Sequence, residues 1–369
     1  MIFKKWLGQC RKIFQIEMRV GSPVDKFCKL ESVLKSDGIP GVMSEEETFD
    51  FIIIGGGAVG LHAGLKAALL NHTALVLDKG RKWCRVWFVP RVDNIPTHPD
   101  GISGNELVNL GREALKKHED KVQLKDLFEV VHIKREDVFK IKAFDERAKR
   151  EAEFKSRAVI LATGIIDRQP VINGSIRPIL PYANKGLVHY CLFCDGHMMT
   201  GQDVAVIGHG QLAANTSLDL GFFGAKSVTI LSHGKDMFDG KGLDNKKETL
   251  TKLSEKGVEV INERITSLFG LDEDFLGVEF EDGSKRQFES GMVALGLFKI
   301  NNELAVALDG KLDEDGYVVT DEDCRVLDGS GNPIEGLYAV GDVRNDWNQI
   351  PIGFGDAERA VIHAYSYYL

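Results

Sequence analysis

Two stretches of the chain repeat one pattern: a continuous apolar run, a glycine turn, a helical segment and a second apolar run. The first is Asp50-Phe51-Ile52-Ile53-Ile54, which enters Gly55-Gly56-Gly57-Ala58-Val59-Gly60. A helix is predicted over 61–70, then a strand over 73–77 that ends at Asp78. Apolar runs without alternation mark strands buried on both faces of a parallel sheet. The second is Asp203-Val204-Ala205-Val206-Ile207, entering Gly208-His209-Gly210-Gln211-Leu212-Ala213. A helix through Leu220 and a strand over 227–231 follow. Gly55 and Gly208 stand 153 residues apart, and the units match element for element, which reads as an internal duplication.

The segments between them fill in an α/β chain. Pro90–Pro99 reads as an ordered loop and 104–117 as a helix. Strand-like segments through 122–154 predict an antiparallel excursion. Ala158–Gly164 is a further buried strand that ends in Ala162, Thr163 and Gly164, small residues against which a dinucleotide can lie close to backbone. After the second unit, an exposed helix is expected over 245–256 and strands over 258–261, 266–271 and 276–280. Glu281-Asp282-Gly283-Ser284 makes a hairpin turn before the return strand. Strands over 292–296 and 336–342 and a last helix beginning near 352–357 complete the pattern.

Length and charge narrow the classes. The 369 residues suffice for two domains with their own cores. No apolar run approaches the ~20 residues of a bilayer span, which argues against stable membrane insertion. The net charge of -9, with no long basic block, argues against nucleic acid as a partner. Residues 1–42 hold eight Lys/Arg and four Asp/Glu, so this segment is +4 and the remainder -13. Two readings stand for this N-terminal extension, taken as 1–47. One is an amphipathic helix over Trp6–Met18 that touches a membrane surface or partner. The other is a poorly ordered extension, with Met43 a natural start.

The first glycine turn has the spacing GxGxxG, its strand before, its helix after, and Asp78 about 20 residues on. This is a dinucleotide site: the glycines let backbone approach a pyrophosphate at the helix N-terminus, and Asp78 accepts from a ribose hydroxyl. Of six cysteines only Cys191 and Cys194 are closely spaced, which suits a reducing compartment in which one pair is used chemically. Asp195 follows the pair directly and can move a proton. His189, Cys191, Cys194 and His197 also form an H-x-C-x-x-C-x-x-H cluster that could hold zinc, although structural zinc usually draws on two separated pairs. An unreactive buried pair is the third reading. His189 and His197 read as tuning or packing residues. Cys84 and Cys324 read as ordinary packed or surface thiols.

The order GxGxxG, Ala-Thr-Gly, Cys-x-x-Cys-Asp-Gly, a second GxGxxA and a late Gly-Asp resembles the low-molecular-weight thioredoxin reductase family over about residues 48–369. The resemblance implies two Rossmann-like domains. A discontinuous FAD domain would comprise 48–167 and 297–369, with an NAD(P)-binding-like domain, 168–296, inserted in it and carrying the disulfide. FAD would be held by Gly55, Gly57, Ala58, Gly60, Asp78, Asn94, Ala162, Thr163, Gly164, Gly341 and Asp342, with Gln349 and Ile350 at the flavin edge. Cys194 would be the sulfur beside the flavin, Cys191 the one that attacks the substrate, and Asp195 the general acid/base. Gly208, Gly210 and Gln211 would meet NADPH or NADH. The partners implied are a thioredoxin-like protein or small disulfide, and a second copy in a homodimer; the compartment is the cytoplasm. No metal site is implied.

Four departures qualify this. The second turn carries His209, Asn215 stands where the family has Glu, and Ser232-His233-Gly234-Lys235 replaces a His-Arg-Arg run that would grip a 2′-phosphate. Cys84-Arg85-Val86 lies where the family has Gly-Gly-Gln. Three functions are therefore compared: a nicotinamide-driven reductase, a relative without nicotinamide (ferredoxin-linked, or a dithiol oxidase using oxygen), and a nucleotide-binding scaffold.

Overall fold

The computed structural model describes residues 48–238, 246–344 and 347–367. The helix expected over Trp6–Met18 and residue 245 of the helix expected over 245–256 lie outside them.

The chain opens with strand β1 (Thr48–Ile54), helix α1 (Ala58–Leu69), β2 (Ala74–Asp78), α2 (Gly104–Lys116) and β3 (Val122–Asp126). The antiparallel strands β4 (Phe128–Arg135) and β5 (Phe139–Asp145) lead into the long β6 (Arg150–Leu161). Next come β7 (Ile165–Asp167), α3 (Leu180–Lys185), β8 (Val188–His189) and α4 (Leu192–Asp195), the last inside the cysteine motif. The second unit holds β9 (Asp203–Gly208), α5 (Gly210–Phe222), β10 (Ser227–Leu231), α6 (Lys246–Glu255) and β11 (Glu259–Ile261). A meander of β12 (Ile265–Phe269), β13 (Leu276–Phe280) and β14 (Lys285–Phe288) precedes β15 (Ser290–Ala294) and β16 (Leu297–Ile300). The chain closes with α7 (Glu303–Val306), β17 (Arg325–Leu327), β18 (Pro333–Ala339) and α8 (Ile350–Tyr367).

The larger sheet has the order β17-β18-β6-β1-β2-β3, with β4 and β5 attached through β6; the second has the order β11-β10-β9-β15-β8. In the first, β3-β2-β1-β6-β18 are parallel neighbours, and in the second β11-β10-β9-β15 repeat the first four in the same chain order, while the fifth parallel strand, β8, precedes its unit in the chain where β18 follows. Each unit also carries an antiparallel excursion ahead of its fourth parallel strand. The repeat predicted from the two glycine turns is therefore present in the topology. A two-stranded antiparallel ribbon, β7 with β16, lies where the chain leaves the first sheet and where it returns.

Alternate residues of β1 serve opposite faces of the larger sheet. Phe51 and Ile53 pack under α1, α2 and α8; Ile52 and Ile54 pack on the side of β5 and α7. All four are buried, which is why the run is continuously apolar. Full burial of one such side chain stabilises by roughly 1.5–3 kcal/mol, so a charge at Ile53 would break the first sheet.

Four boundaries differ from expectation. Val122–Asp126 is a parallel strand at the sheet edge, not part of the antiparallel excursion, because a half-exposed edge strand and an antiparallel strand share the same alternation. The stretches read as two strands are one, β6: its first half alternates in burial and its second half is buried throughout. α1 begins at Ala58, inside the glycine motif. α8 begins at Ile350, since Pro351 is accepted in a first helical turn where no N–H partner is needed.

Candidate functional site

The first glycine turn is built by close approach. A Cβ on Gly60 would lie 1.9 Å from the Gly55 carbonyl oxygen, and one on Gly55, at φ +116°, 2.2 Å from that of Ala162. The glycines thus lock β1, the start of α1 and the end of β6 together. No side chain caps α1. Among the described residues, the N–H groups of Gly57 and Ala58 have no partner. The N-terminus of α1 therefore keeps unused donors, the arrangement that receives an anion.

Asp78 ends β2 as expected, and its environment was not legible in the sequence. Oδ1 accepts a hydrogen bond from the Gly56 N–H (3.3 Å) and Oδ2 one from Arg112 Nη2 (2.8 Å). Arg112, buried on α2, also holds Asp126 at 2.7 Å. Burial pushes the Asp78 carboxyl above its ordinary value, against the pull of Arg112. An arginine on the packed face of a helix gives no motif, so only the fold reveals it.

The start of α8 lies beside this turn. A Cβ on Gly353 would meet Val59 at 2.4 Å and the Gly341 Cα at 3.4 Å, so the first turns of α1 and α8 converge. Gln349, one residue before α8, ties two parts of the site together. Its Oε1 accepts from Asn94 Nδ2 (2.8 Å), and its Nε2 lies 3.3 Å from Cys194 Sγ and 3.7 Å from Cys191 Sγ. Asn94 Oδ1 is buried with no partner among the described residues. A buried carbonyl of this kind calls for a donor from a ligand.

Asp342 is held differently from the expectation. Arg85, from the segment that departs from the family pattern, forks onto Asp167 (2.7 and 3.0 Å) and reaches Asp342 at 3.3 Å. Burial works against the Arg85 charge, but Asp167 and Asp342 hold its pKa above the ordinary value. Asp342 is raised by burial, with Arg85 opposing. Thr163 and Gly164 are committed to packing: Asn301 accepts from the Thr163 hydroxyl, donates to the Thr163 carbonyl and donates its backbone N–H to Gly164.

Cys191 and Cys194 form a disulfide. Cys191 is the N-cap of α4, its sulfur accepting from the Cys194 N–H at 3.2 Å. Phe193, between them, is 71% exposed. His189 Nδ1 lies 3.1 Å from Asp195 Oδ2, and His197 Nε2 lies 3.0 Å from Asp93 Oδ2. The four residues of the zinc alternative do not converge: the sulfurs bond each other and the imidazoles face separate carboxylates. Cys84 is packed near Gly57 and Cys324 is buried. Burial pushes their thiols up, to about 11 and about 12. Neither is a ready nucleophile.

The second glycine turn is less open. Gly208 is held close to the Ala294 carbonyl, as Gly55 is to Ala162. However, the Gly210 N–H, at φ +73°, donates to the Met237 carbonyl (2.9 Å), so the segment after β10 folds onto the turn. Gln211 bonds Asn215. His233, in the segment that stands in place of a His-Arg-Arg run, accepts from the Ile265 N–H and reaches the Val171 carbonyl, which makes it structural.

The first site therefore fits FAD: a helix N-terminus with unused donors, an orphaned buried carbonyl and a glutamine that touches both the Asn94 loop and the disulfide. The second turn, with a phosphate-facing N–H already used, fits a nicotinamide dinucleotide less well.

Comparison with known proteins points to a disulfide oxidoreductase. The profile described as Pyridine nucleotide-disulphide oxidoreductase matches residues 49–357. The thioredoxin reductase of Bacillus subtilis is 27% identical over 86% of this chain and 94% of its own. That of Peptoclostridium litorale is 26% identical over 87% of this chain and 98% of its own. The crystal structure of thioredoxin reductase from Streptococcus pyogenes superposes with a TM-score of 0.72 at 27% identity, covering 87% of this chain and 98% of that one.

Proposed function

The chain belongs to the pyridine nucleotide-disulphide oxidoreductase family and is an FAD-dependent disulfide oxidoreductase, and on that premise we propose that its Cys191–Cys194 pair exchanges electrons between FAD and a thioredoxin-like protein or small disulfide. One observation carries the reading: Gln349 contacts both the Asn94 loop and Cys194, which links the disulfide to the residues that would meet the flavin. Residues 48–167 and 297–369 form the FAD domain, and 168–296 the inserted domain with the redox pair.

Gly55, Gly57, Ala58 and Gly60 would hold the pyrophosphate on the α1 N-terminus, Asp78 the ribose, and Asn94, Gly341, Asp342, Gln349 and Ile350 the ribityl chain and ring. Bound FAD supplies a two-electron relay beside Cys194. Cys191 attacks the substrate disulfide as a thiolate; the S–S bond of the substrate breaks, and Asp195 gives a proton to the leaving sulfur. Cys194 then attacks the mixed disulfide and closes the Cys191–Cys194 bond, releasing the second substrate thiol. Phe193 offers an exposed apolar contact for a protein substrate. The molecule works in the cytoplasm as a homodimer; among the described residues no helix is long and apolar enough to cross a membrane.

For the electron source, the relatives named thioredoxin reductase support a nicotinamide at Gly208, Gly210 and Gln211. The bond from Gly210 N–H to the Met237 carbonyl, together with Gly234 and Lys235 in place of arginines, favours a second reading in which another donor or acceptor replaces it. Anaerobic mixing of the flavoprotein with NADPH, then NADH, decides between them. Rapid bleaching by either supports the first, and no bleaching, with dithiothreitol still reducing the flavin, supports the second.

A further inference from the structure

We propose that His189 is a positioning residue for Asp195, so that the two act as one acid–base dyad behind the Cys191–Cys194 bond; this rests on the disulfide chemistry proposed above. The imidazole Nδ1 is 3.1 Å from Asp195 Oδ2, and the two side chains are only 7% and 14% exposed. They bracket the pair in sequence. His189 ends β8, two residues before Cys191, while Asp195 ends the α4 turn that carries Cys194. β8 is fixed to the second sheet through the pairing of His189 with Met292. The imidazole therefore stands on a sheet, and the carboxyl it touches rides on the turn of the disulfide. A carboxyl on so short a turn has no other anchor among the contacts described, and its rotamer decides whether it faces the sulfurs.

The neighbouring charges leave this contact undisturbed. β15 has no titratable side chain. Lys185 of α3 is taken by Asp274 and the Leu271 carbonyl. His197, after α4, faces Asp93, which also holds Arg91. Lys185 and His197 are thus committed elsewhere, and His189 and Asp195 stand within 3.1 Å of each other.

Reduction of the pair by dithiothreitol isolates the step. One thiolate of the dithiol attacks Cys191 Sγ; the Cys191–Cys194 bond breaks and Cys194 leaves with the electron pair, taking a proton from Asp195. The second thiol attacks the mixed disulfide, giving the cyclic disulfide of the reagent and freeing Cys191. Two electrons and two protons pass from reagent to protein. With Asp195 held, proton delivery is timed to sulfur departure; with it loose, that assistance is lost.

The test follows reduction of the FAD-containing protein by excess dithiothreitol under anaerobic conditions at pH 6–9, reading flavin absorbance together with the thiols of Cys191 and Cys194 by iodoacetamide quenching and mass spectrometry, since the first dithiol formed passes its electrons to the flavin. His189→Asn is expected to slow reduction by on the order of tenfold or more and to change the pH profile, with flavin content retained. In an Asp195→Asn background the same substitution is expected to change the rate by less than about twofold. His189→Gln provides the same comparison where His189→Asn loses flavin. A wild-type rate and pH profile in either variant, or an undiminished slowing in the Asp195→Asn background, overturns the dyad. A wild-type pair that dithiothreitol does not reduce overturns the proposed function and the dyad with it.

Discussion

Removing the Arg112 guanidinium tests how the first nucleotide turn is held. Arg112→Met keeps the length and packing of the side chain but leaves Asp78, buried at the end of β2, without its 2.8 Å partner. Breaking a buried pair by removing one partner costs roughly 3–5 kcal/mol, most of it from the charge left behind. At about 2–4 °C per kcal/mol for a domain of 150–250 residues, the melting temperature falls by roughly 6–20 °C. Asp78→Asn in the same protein removes the stranded charge, so the double variant is expected to be more stable than Arg112→Met alone, with a coupling of roughly 1–3 kcal/mol. The pH dependence has a definite sign. Burial raises the folded-state pKa of Asp78, so the native state binds the proton more tightly than the unfolded chain. Stability from this group is then lost as pH rises from the unfolded value of about 3.9 through the folded one. Without Arg112 that window widens upward, and the deficit of Arg112→Met relative to wild type shrinks as pH falls through it. Thermal unfolding of the FAD-free proteins, followed by circular dichroism, measures all of this; FAD would add its own stabilisation by mass action. An Arg112→Met protein within about 1 kcal/mol of wild type, or a double variant no better than the single, refutes the reasoning.

Arg85→Leu strands Asp167 and Asp342 together and is expected to lower FAD affinity at least tenfold, read by equilibrium titration of apoprotein fluorescence; unchanged affinity would show that Arg85 only packs. With thiols raised to about 11 and about 12, Cys84 and Cys324 are expected to take up iodoacetamide at pH 8 at least a hundred times more slowly than Cys191 and Cys194 in the reduced protein, by peptide mass spectrometry. Equal labelling would contradict their burial.

Where the sequence carries local physics, it was a good guide. The continuous apolar runs gave the parallel strands because both faces of each sheet are covered, and the glycine spacings located both turns because close approach forbids a Cβ there. Spacing also singled out Cys191, Cys194 and Asp195. The contacts that bind these pieces together come from long range. Arg112 reaches Asp78 across 34 positions, Arg85 reaches Asp342 across 257, and Gln349 reaches Cys194 across 155. No periodicity or motif encodes such pairs. The same limit applies to the second turn: its glycines look competent in the sequence, and only the fold shows the Gly210 N–H spent on Met237.

The central claim is that electrons pass between the flavin and the Cys191–Cys194 pair, and dithiothreitol tests it most directly. Under anaerobic conditions the wild-type flavin absorbance is expected to bleach as dithiothreitol reduces the disulfide and the resulting Cys191/Cys194 dithiol passes two electrons to the flavin, closing the disulfide again. A Cys191→Ser/Cys194→Ser protein, with FAD fully bound, is expected to keep its absorbance under the same conditions. Equal bleaching rates in the two proteins would contradict the account.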